Sequence, residues 1–381
     1  MDTEGTATQR HDVTALVDDL IDRALTARAT DLHFEPIDQG LLVRARIDGQ
    51  LLDLEVVPAC LAENIVSRLK ILASLLTYRV DIPQEGSLVW RAKSTGSAER
   101  SADLRVATFP TIRGERAVVR VFRDAAELQS LDSLGLAADQ VGLIRDTLAQ
   151  PAGFVVASGP AGSGKTTTLY AMIRELRDRF PGRSIITLED PVEQRIDRIP
   201  QIQINPYGEL SYRRCMRSLL RHDPQVILVG EVRDRRTAMI AVEAALTGHL
   251  ILTTVHSGDP AETIMRFLEM GIPSYQLTSV LTLVCAQRLV RRRCPACRPS
   301  GSEGCPACLG TGYSGRMAIA QIVRVDEGAR RLILEHAQAS ALREALMRQG
   351  ADMMNRAAVL IADGLTDEGE VARVLGRRPS L

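Results

Sequence analysis

Apolar residues recur at helical spacing from Val13 to Arg28, where Leu16, Val17, Leu20, Ile21, Ala24 and Leu25 fall on one side. That spacing predicts an amphipathic helix. Leu41–Ile47 and Gln50–Val56 read as strands flanking Asp48-Gly49, a pair suited to a two-residue hairpin turn. Leu61 to Leu76 predicts a second helix, and Ala102–Thr108 and Arg116–Phe122 predict two more strands. These elements predict a small α+β domain over residues 1–123. Residues 124–135 are polar and read as a linker to a second domain at 136–381. From about Leu136, apolar runs alternate with amphipathic stretches, which predicts a parallel sheet with helices on both faces. Residues 329–375 are helical in pattern. Thr366 is expected to cap the last helix, with Asp367, Glu368 and Glu370 in its first turns.

Composition narrows this little. The chain has 381 residues, enough for two or three domains with cores of their own. Hydrophobic residues make up 45% but aromatics only 3%, so the cores are aliphatic. Lys+Arg and Asp+Glu are both 47, so overall charge gives no argument for nucleic acid or an anionic membrane as partner. Met1-Asp2-Thr3-Glu4 is acidic and polar, unlike a secretory signal. The longest uncharged stretch, Met270 to Gln287, is too polar for a membrane span. These features predict a cytoplasmic protein.

One stretch carries most of the chemistry. Gly159-Pro160-Ala161-Gly162-Ser163-Gly164-Lys165-Thr166 fits G-x-x-x-x-G-K-[ST]. The apolar Gly153–Ala157 before it reads as a buried strand, and Thr167 to Arg179 after it as a helix. A strand, a glycine-rich loop and a helix N-terminus make a cradle of inward N–H groups for phosphate. Lys165 reaches the β- and γ-phosphates of a nucleotide, the Thr166 hydroxyl suits Mg²⁺, and Thr167 continues the binding segment. The motif and its neighbours agree, which a chance glycine-rich turn would not produce. ATP and Mg²⁺ are therefore expected ligands.

Three later apolar runs end in polar residues. Ile185–Leu188 runs into Glu189 and Asp190, Val226–Gly230 into Glu231, and Leu250–Val255 into His256. Sites in parallel sheets open at the carboxyl ends of strands. Glu189 is placed to polarise a water, Glu231 to support Mg²⁺, and His256 to sense the γ-phosphate. Each alone is also an ordinary exposed strand end.

Of seven cysteines, Cys294, Cys297, Cys305 and Cys308 form C-x-x-C-x7-C-x-x-C. Paired C-x-x-C turns favour a tetrahedral Zn²⁺ site over disulfides in a cytosolic protein, with a redox dithiol pair as the alternative. The seven-residue loop Arg298 to Gly304 spans roughly 23 Å, so it closes the site easily. Cys60, Cys215 and Cys285 stand alone and read as reduced structural residues.

These blocks together resemble the ATPases of type II secretion and type IV pilus assembly. Thr30-Asp-Leu-His-Phe-Glu-Pro36, Arg44–Gly49, Arg105–Thr111 and Gly114-Glu-Arg116 resemble the family's N2 domain. Gly159–Tyr170, Thr187–Glu193, Leu220–Asp234, Thr247–His256 and Gln287-Arg-Leu289 with the cysteines and Gly312–Arg316 resemble the motifs of its second domain. The resemblance implies an α/β fold: a RecA-like P-loop ATPase core with a smaller α+β, PAS-like N2 domain, a zinc knuckle at 294–308 and a C-terminal helical subdomain. It implies a homohexamer acting on an inner-membrane platform protein, with a cytoplasmic adaptor as a further partner. Membrane association is then peripheral. By position, Arg105, Arg120, Arg217 and Arg221 match arginines the family uses around phosphates. Arg217 and Arg221 lie four apart, which puts them on one helical face.

Three departures stand out. The family's basic stretch Arg-Arg-x-Pro-Gln-Asp-Gly-Arg is here Val80-Asp-Ile-Pro-Gln-Glu-Gly-Ser87, without the three arginines at 80, 81 and 87. The loop between the cysteine pairs is short. N2-like sequence begins almost at once, which implies a short form without the recruiting domain. Two other classes fit less well. A pilus retraction motor typically lacks the cysteine knuckle. A nucleic-acid motor would need stacking aromatics, and none interleave with Arg288, Arg291, Arg292 and Arg293.

Overall fold

The structure, a computed structural model, describes residues 12–91, 101–122, 130–205, 210–297, 305–350 and 352–376. The chain divides into two units, Met1–Asp124 and Ala125–Leu381. The expected loop Arg298–Gly304 and the 124–129 part of the expected linker lie outside the described residues.

The first unit opens with α1 (Val13–Thr26), capped by Asp12, whose carboxylate accepts from the Thr14 amide at 2.9 Å. Strands β1 (Asp31–Ile37), β2 (Gly40–Ile47) and β3 (Gln50–Pro58) lead to α2 (Ala59–Leu72). Strands β4 (Gln84–Arg91), β5 (Ser101–Thr111) and β6 (Gly114–Phe122) complete a six-stranded antiparallel sheet of order β3-β2-β1-β6-β5-β4. The β2–β3 turn needs a positive φ at both central residues, and Asp48 and Gly49 take 49° and 88°. Leu32, Phe34, Val43, Val106 and Val119 point to one face and pack on Val17, Leu20 and Ile21 of α1 and on Ile65 and Leu69 of α2. The apolar face of α1 is thus spent inside its own unit, and the Trp90 indole donates to Asp22 at 2.8 Å to hold it there.

The second expected helix stops at Leu72, short of Leu76, and Ser74 beyond it takes φ 57°. Fully buried Lys70 explains the stop. Its ammonium meets Glu115 at 2.5 Å and donates to the Arg79 carbonyl at 2.9 Å. The Gln84 amide fixes the Leu76 and Arg79 carbonyls as well, so the segment turns back to the sheet. Strands β1 and β4 had no clear apolar signal: a proline ends one run, and Gln84-Glu-Gly-Ser opens the other.

The second unit begins with a 3-10 turn, Leu131–Leu134, and α3 (Ala138–Leu148). Residues 130–135 are therefore not linker: Leu131 is fully buried and Leu134 nearly so, both in the core. The main run is β7 (Gly153–Ser158), α4 (Lys165–Arg179), β8 (Ile185–Glu189), β9 (Gln201–Gln203), α5 (Tyr212–Leu219), β10 (Val226–Val229), α6 (Arg235–Leu246), β11 (Leu250–Val255), α7 (Pro260–Glu269), α8 (Ser274–Val280), β12 (Leu281–Arg293) and β13 (Tyr313–Arg324). The sheet order is β13-β12-β7-β11-β10-β8-β9, parallel except for the β12–β13 pair. Neighbouring residues of one strand feed opposite cores. Phe154 and Val156 pack with α6 and α7, whereas Val155 and Ala157 pack with α3 and α4. Burial on both faces explains the unbroken apolar runs.

Four helices follow: α9 (Glu327–Leu334), α10 (Ala339–Met347), α11 (Met353–Ala362) and α12 (Glu368–Leu375). The cap of α12 is Asp367, which accepts from the Glu370 amide at 3.0 Å; it is not Thr366, whose buried hydroxyl donates to the Arg291 carbonyl at 2.9 Å. Cys215 and Cys285 are buried, but Cys60 is exposed and supports no core.

Candidate nucleotide site and cysteine cluster

Between β7 and α4 the chain turns through Gly159, Gly162 and Gly164, with φ of 149°, 73° and 87°. Two of these glycines are also forced by close approach. A Cβ at Gly159 would lie 2.6 Å from the Gln287 carbonyl oxygen, and one at Gly164 would lie 3.0 Å from Gln287 Nε2. Ser163 is buried, and its carbonyl accepts from Gln287 Nε2 at 2.7 Å. Pro160, Ala161, Gly162 and Thr166 are exposed and Thr167 is half-buried. Lys165 Nζ donates to the Gly159 and Pro160 carbonyls at 2.8 and 2.9 Å, folding its charge over the loop. Burial lowers the Lys165 pKa below the usual lysine value, and the Glu231 carboxylate opposes that.

The three strand ends behave differently. Glu231, just past β10, is half-buried and meets His256 Nε2 at 3.1 Å and Arg233 Nε at 2.8 Å. Its field at Lys165 links these two predicted residues to the loop. Glu189, at the end of β8, is only 3% exposed, and both its oxygens are engaged. Tyr170 donates to Oε2, while Thr187 and Gln201 donate to Oε1 at 2.6 and 3.1 Å. A Cβ on Gly230 would come within 3.3 Å of the Glu189 Cα, so the ends of β8 and β10 are in contact.

The arginines divide into two pairs. Arg217 lies in the last turn of α5, but the helix ends at Leu219, so Arg221 is past the cap and the two do not share a helical face. Both are exposed. In the first unit Arg105 and Arg120 are direct cross-strand partners on β5 and β6. Glu85 meets Arg105 at 3.4 Å, and Asp31 meets Arg120 at 3.1 Å.

At the far end of the β12–β13 pair, the sulfurs of Cys294, Cys297, Cys305 and Cys308 all lie within 4.8 Å of one another. A tetrahedral ion with Zn–S bonds near 2.3 Å needs sulfurs about 3.8 Å apart. Cys297 and Cys308 are 3.5 Å apart, so the donor set fits one zinc-sized ion. Backbone N–H bonds from Cys308 and Ala307 bring the Cys305 thiol down to about 7, while its contact with Cys308 pushes Cys297 up to about 12. The basic run beside the cluster is largely consumed internally. Arg291 is buried against Glu370 at 2.7 Å and lies 3.9 Å over the Tyr313 ring, and Arg293 meets Asp367 at 3.4 Å.

A family model described as "Type II/IV secretion system protein" matches residues 6–373. The chain belongs to that family. It is 39% identical to the type II secretion system protein HxcR of Pseudomonas aeruginosa, across 95% of this chain and 77% of that one. It is 34% identical to the type IV pilus assembly ATPase PilB of the same species, across 95% of this chain and 67% of that one. Its fold resembles the crystal structure of the Yersinia pseudotuberculosis ATPase DotB, with a TM-score of 0.76 at 24% identity over 99% of this chain and 96% of that one.

Two residues of this secretion-system protein had no role in the sequence reading. Gln287 is fully buried, yet it bonds the phosphate loop and accepts from the Thr168 hydroxyl at 2.9 Å. A buried amide inside an apolar strand is the signal that could have found it. Tyr170 sits on the apolar face of α4, where nothing in the pattern separates it from Leu169 or Met172. Among the described residues, no helix is long and apolar enough to cross a membrane.

Proposed function

We propose that this chain is a hexameric ATPase that drives pilus or pseudopilus assembly through an inner-membrane platform protein, with or without a cytoplasmic adaptor. The observation that carries the reading is the glycine-turned cradle at the start of α4 in a chain matching the secretion family over residues 6–373. The strand order β12-β7-β11-β10-β8 supports a RecA-like core, and two helices on one face of the antiparallel sheet support a PAS-like first domain. Backbone N–H groups of 161–166 and the Lys165 ammonium would hold the β- and γ-phosphates of ATP. Thr166 and Glu231 would hold Mg²⁺, which neutralises phosphate charge. His256, whose Nε2 lies 3.1 Å from the Glu231 carboxylate, follows the state of the γ-phosphate. Glu189 orients the attacking water. Arg105, Arg120, Arg217 and Arg221 supply positive charge around the phosphates, and a ring allows some of it to come from a neighbouring copy.

The cysteine cluster would hold Zn²⁺ and staple the end of β12 to β13. The purified protein is expected to carry one zinc per chain, and Cys305→Ser to lower thermal stability more than it changes nucleotide affinity. Zero zinc with thiols kept reduced overturns that part. The central test is ATP turnover and sedimentation with and without membranes bearing the platform protein. A six-subunit species whose ATPase rises with the platform supports the proposal, and a monomer insensitive to it does not.

A further inference from the structure

The Tyr170 hydroxyl lies in neither the phosphate loop nor a strand end, yet it touches the group proposed to orient water. Tyr170 is 2% exposed and donates to Glu189 Oε2. The same oxygen of Tyr170 accepts from the Glu193 amide at 3.2 Å, so it clamps the segment after β8 as well. Arg174, one turn further along α4, lies over its ring at 5.9 Å and donates to the Gln194 side chain at 2.6 Å. Gln194 in turn gives its carbonyl to Gln201, the residue that bonds Glu189 Oε1. One helix face therefore reaches both oxygens of that carboxylate, Oε2 directly and Oε1 through Gln194 and Gln201.

A carboxylate offers about four lone-pair positions. Thr187 and Gln201 fill both on Oε1, and Tyr170 fills one on Oε2. The remaining position is on Oε2, so a water held by Glu189 must share that oxygen with Tyr170. Tyr170 is also five residues after Lys165 on the same helix, about 7.5 Å along its axis. The strand bearing Glu189 is three places from β7 in the sheet, and α4, which starts at Lys165, links the glycine loop to that carboxylate through Tyr170.

We propose that Tyr170 is a positioning residue for ATP hydrolysis: its hydroxyl fixes Glu189 Oε2 at a set distance from the phosphate cradle, so that Glu189 orients one water through its single free lone pair. This rests on the reading of Glu189 as the water-orienting group. Phosphoryl transfer through a loose transition state demands orientation of the water more than a strong base. Burial and the adjacent Glu189 carboxylate raise the pKa of Tyr170, which keeps it a donor across the working pH range.

The test is Tyr170→Phe in the full chain, alone and combined with Glu189→Gln. Tyr170→Phe is expected to lower kcat about 10-fold or more while nucleotide Kd stays within about twofold. On the Glu189→Gln background it should lower kcat no further, because Tyr170 acts through that carboxylate. An unchanged or raised kcat in Tyr170→Phe overturns the proposal, as does a further loss on the Glu189→Gln background. If Glu189→Gln alone hydrolyses ATP normally, the reading of Glu189 fails, whatever Tyr170→Phe does. Should the Phe variant not fold, 3-fluorotyrosine at position 170 keeps ring and hydroxyl while strengthening donation. A changed kcat at constant nucleotide affinity then supports the proposal, and an unchanged kcat overturns it.

Discussion

The two sheets place their polar chemistry in different ways. In the first unit, β5 alternates between buried and outward positions from Ser101 to Phe109, so one face makes the core and the other carries Arg105, Arg116 and Arg120 beside Asp31, Glu35 and Glu85. In the second unit, β7 and β11 are buried at every position, and polar groups gather past the strand ends. A one-sided sheet offers a broad charged surface whose members pair with each other. A two-sided sheet confines chemistry to one edge, where a few groups converge on one loop. Substitutions at that edge should be severe and specific, and those on the open face graded.

The largest expected effect is at the edge. Lys165→Ala should abolish ATP turnover, a loss of at least about 10²–10³-fold, by removing the main counter-charge of the γ-phosphate. Glu189→Gln should bind ATP normally and fail to hydrolyse it, measured by nucleotide titration beside phosphate release. Equal loss of binding in both variants breaks the edge assignment.

Next comes a buried pair outside the edge. Glu370 is 1% exposed and bonded by Arg291 and Arg373. Burial alone would raise its carboxyl, but those arginine hydrogen bonds prevail and hold it at about 2. Its folded value lies below the ordinary 4.5, so its stabilisation is complete above that pH and is lost as pH falls toward 2. Glu370→Ala removes the buried carboxylate that Arg291 pairs with and should cost about 3–5 kcal/mol in denaturant unfolding at neutral pH. The variant should also show less acid sensitivity between those two values.

Smaller effects are expected on the open face. Arg105→Ala and Arg120→Ala should slow turnover roughly 10- to 100-fold, the scale of one charge-assisted hydrogen bond, with ATP binding little changed. If they weaken binding as strongly as turnover, the face acts in affinity and the contrast with the edge collapses. Smallest of all, Asp53→Ala, which removes the 2.9 Å partner of Arg44, should alter stability by no more than about 1 kcal/mol.

What could be read from sequence follows from the same contrast. Strands buried on both faces appear as unbroken apolar runs, so β7, β8, β10 and β11 and their polar ends were legible, as were the glycine loop and the cysteine pairs. Strands β1 and β4 were not, because half their residues face outward and proline, glycine and glutamine dilute the remainder. The end of α2 was hidden because it depends on Lys70 reaching Glu115, a contact across 45 positions of chain. Thr366 and Asp367 are both good caps, and only the burial of the Thr366 hydroxyl against β12 decides between them. Tyr170 escaped because nothing in the apolar pattern of α4 separates it from its neighbours, and Gln287 because its partners lie 119 and 124 positions away.

The span between Ser163 and Gln287 also bears on how the chain is made. These residues are 124 positions apart, and the bond between them braces the glycine loop from behind. A ribosome adding about 5–20 residues per second delivers the loop roughly 6–25 s before its brace. During that interval the nascent chain carries the glycine-lysine motif in full but no finished pocket. A nascent chain arrested before Gln287 should therefore hold ATP far more weakly than the released protein.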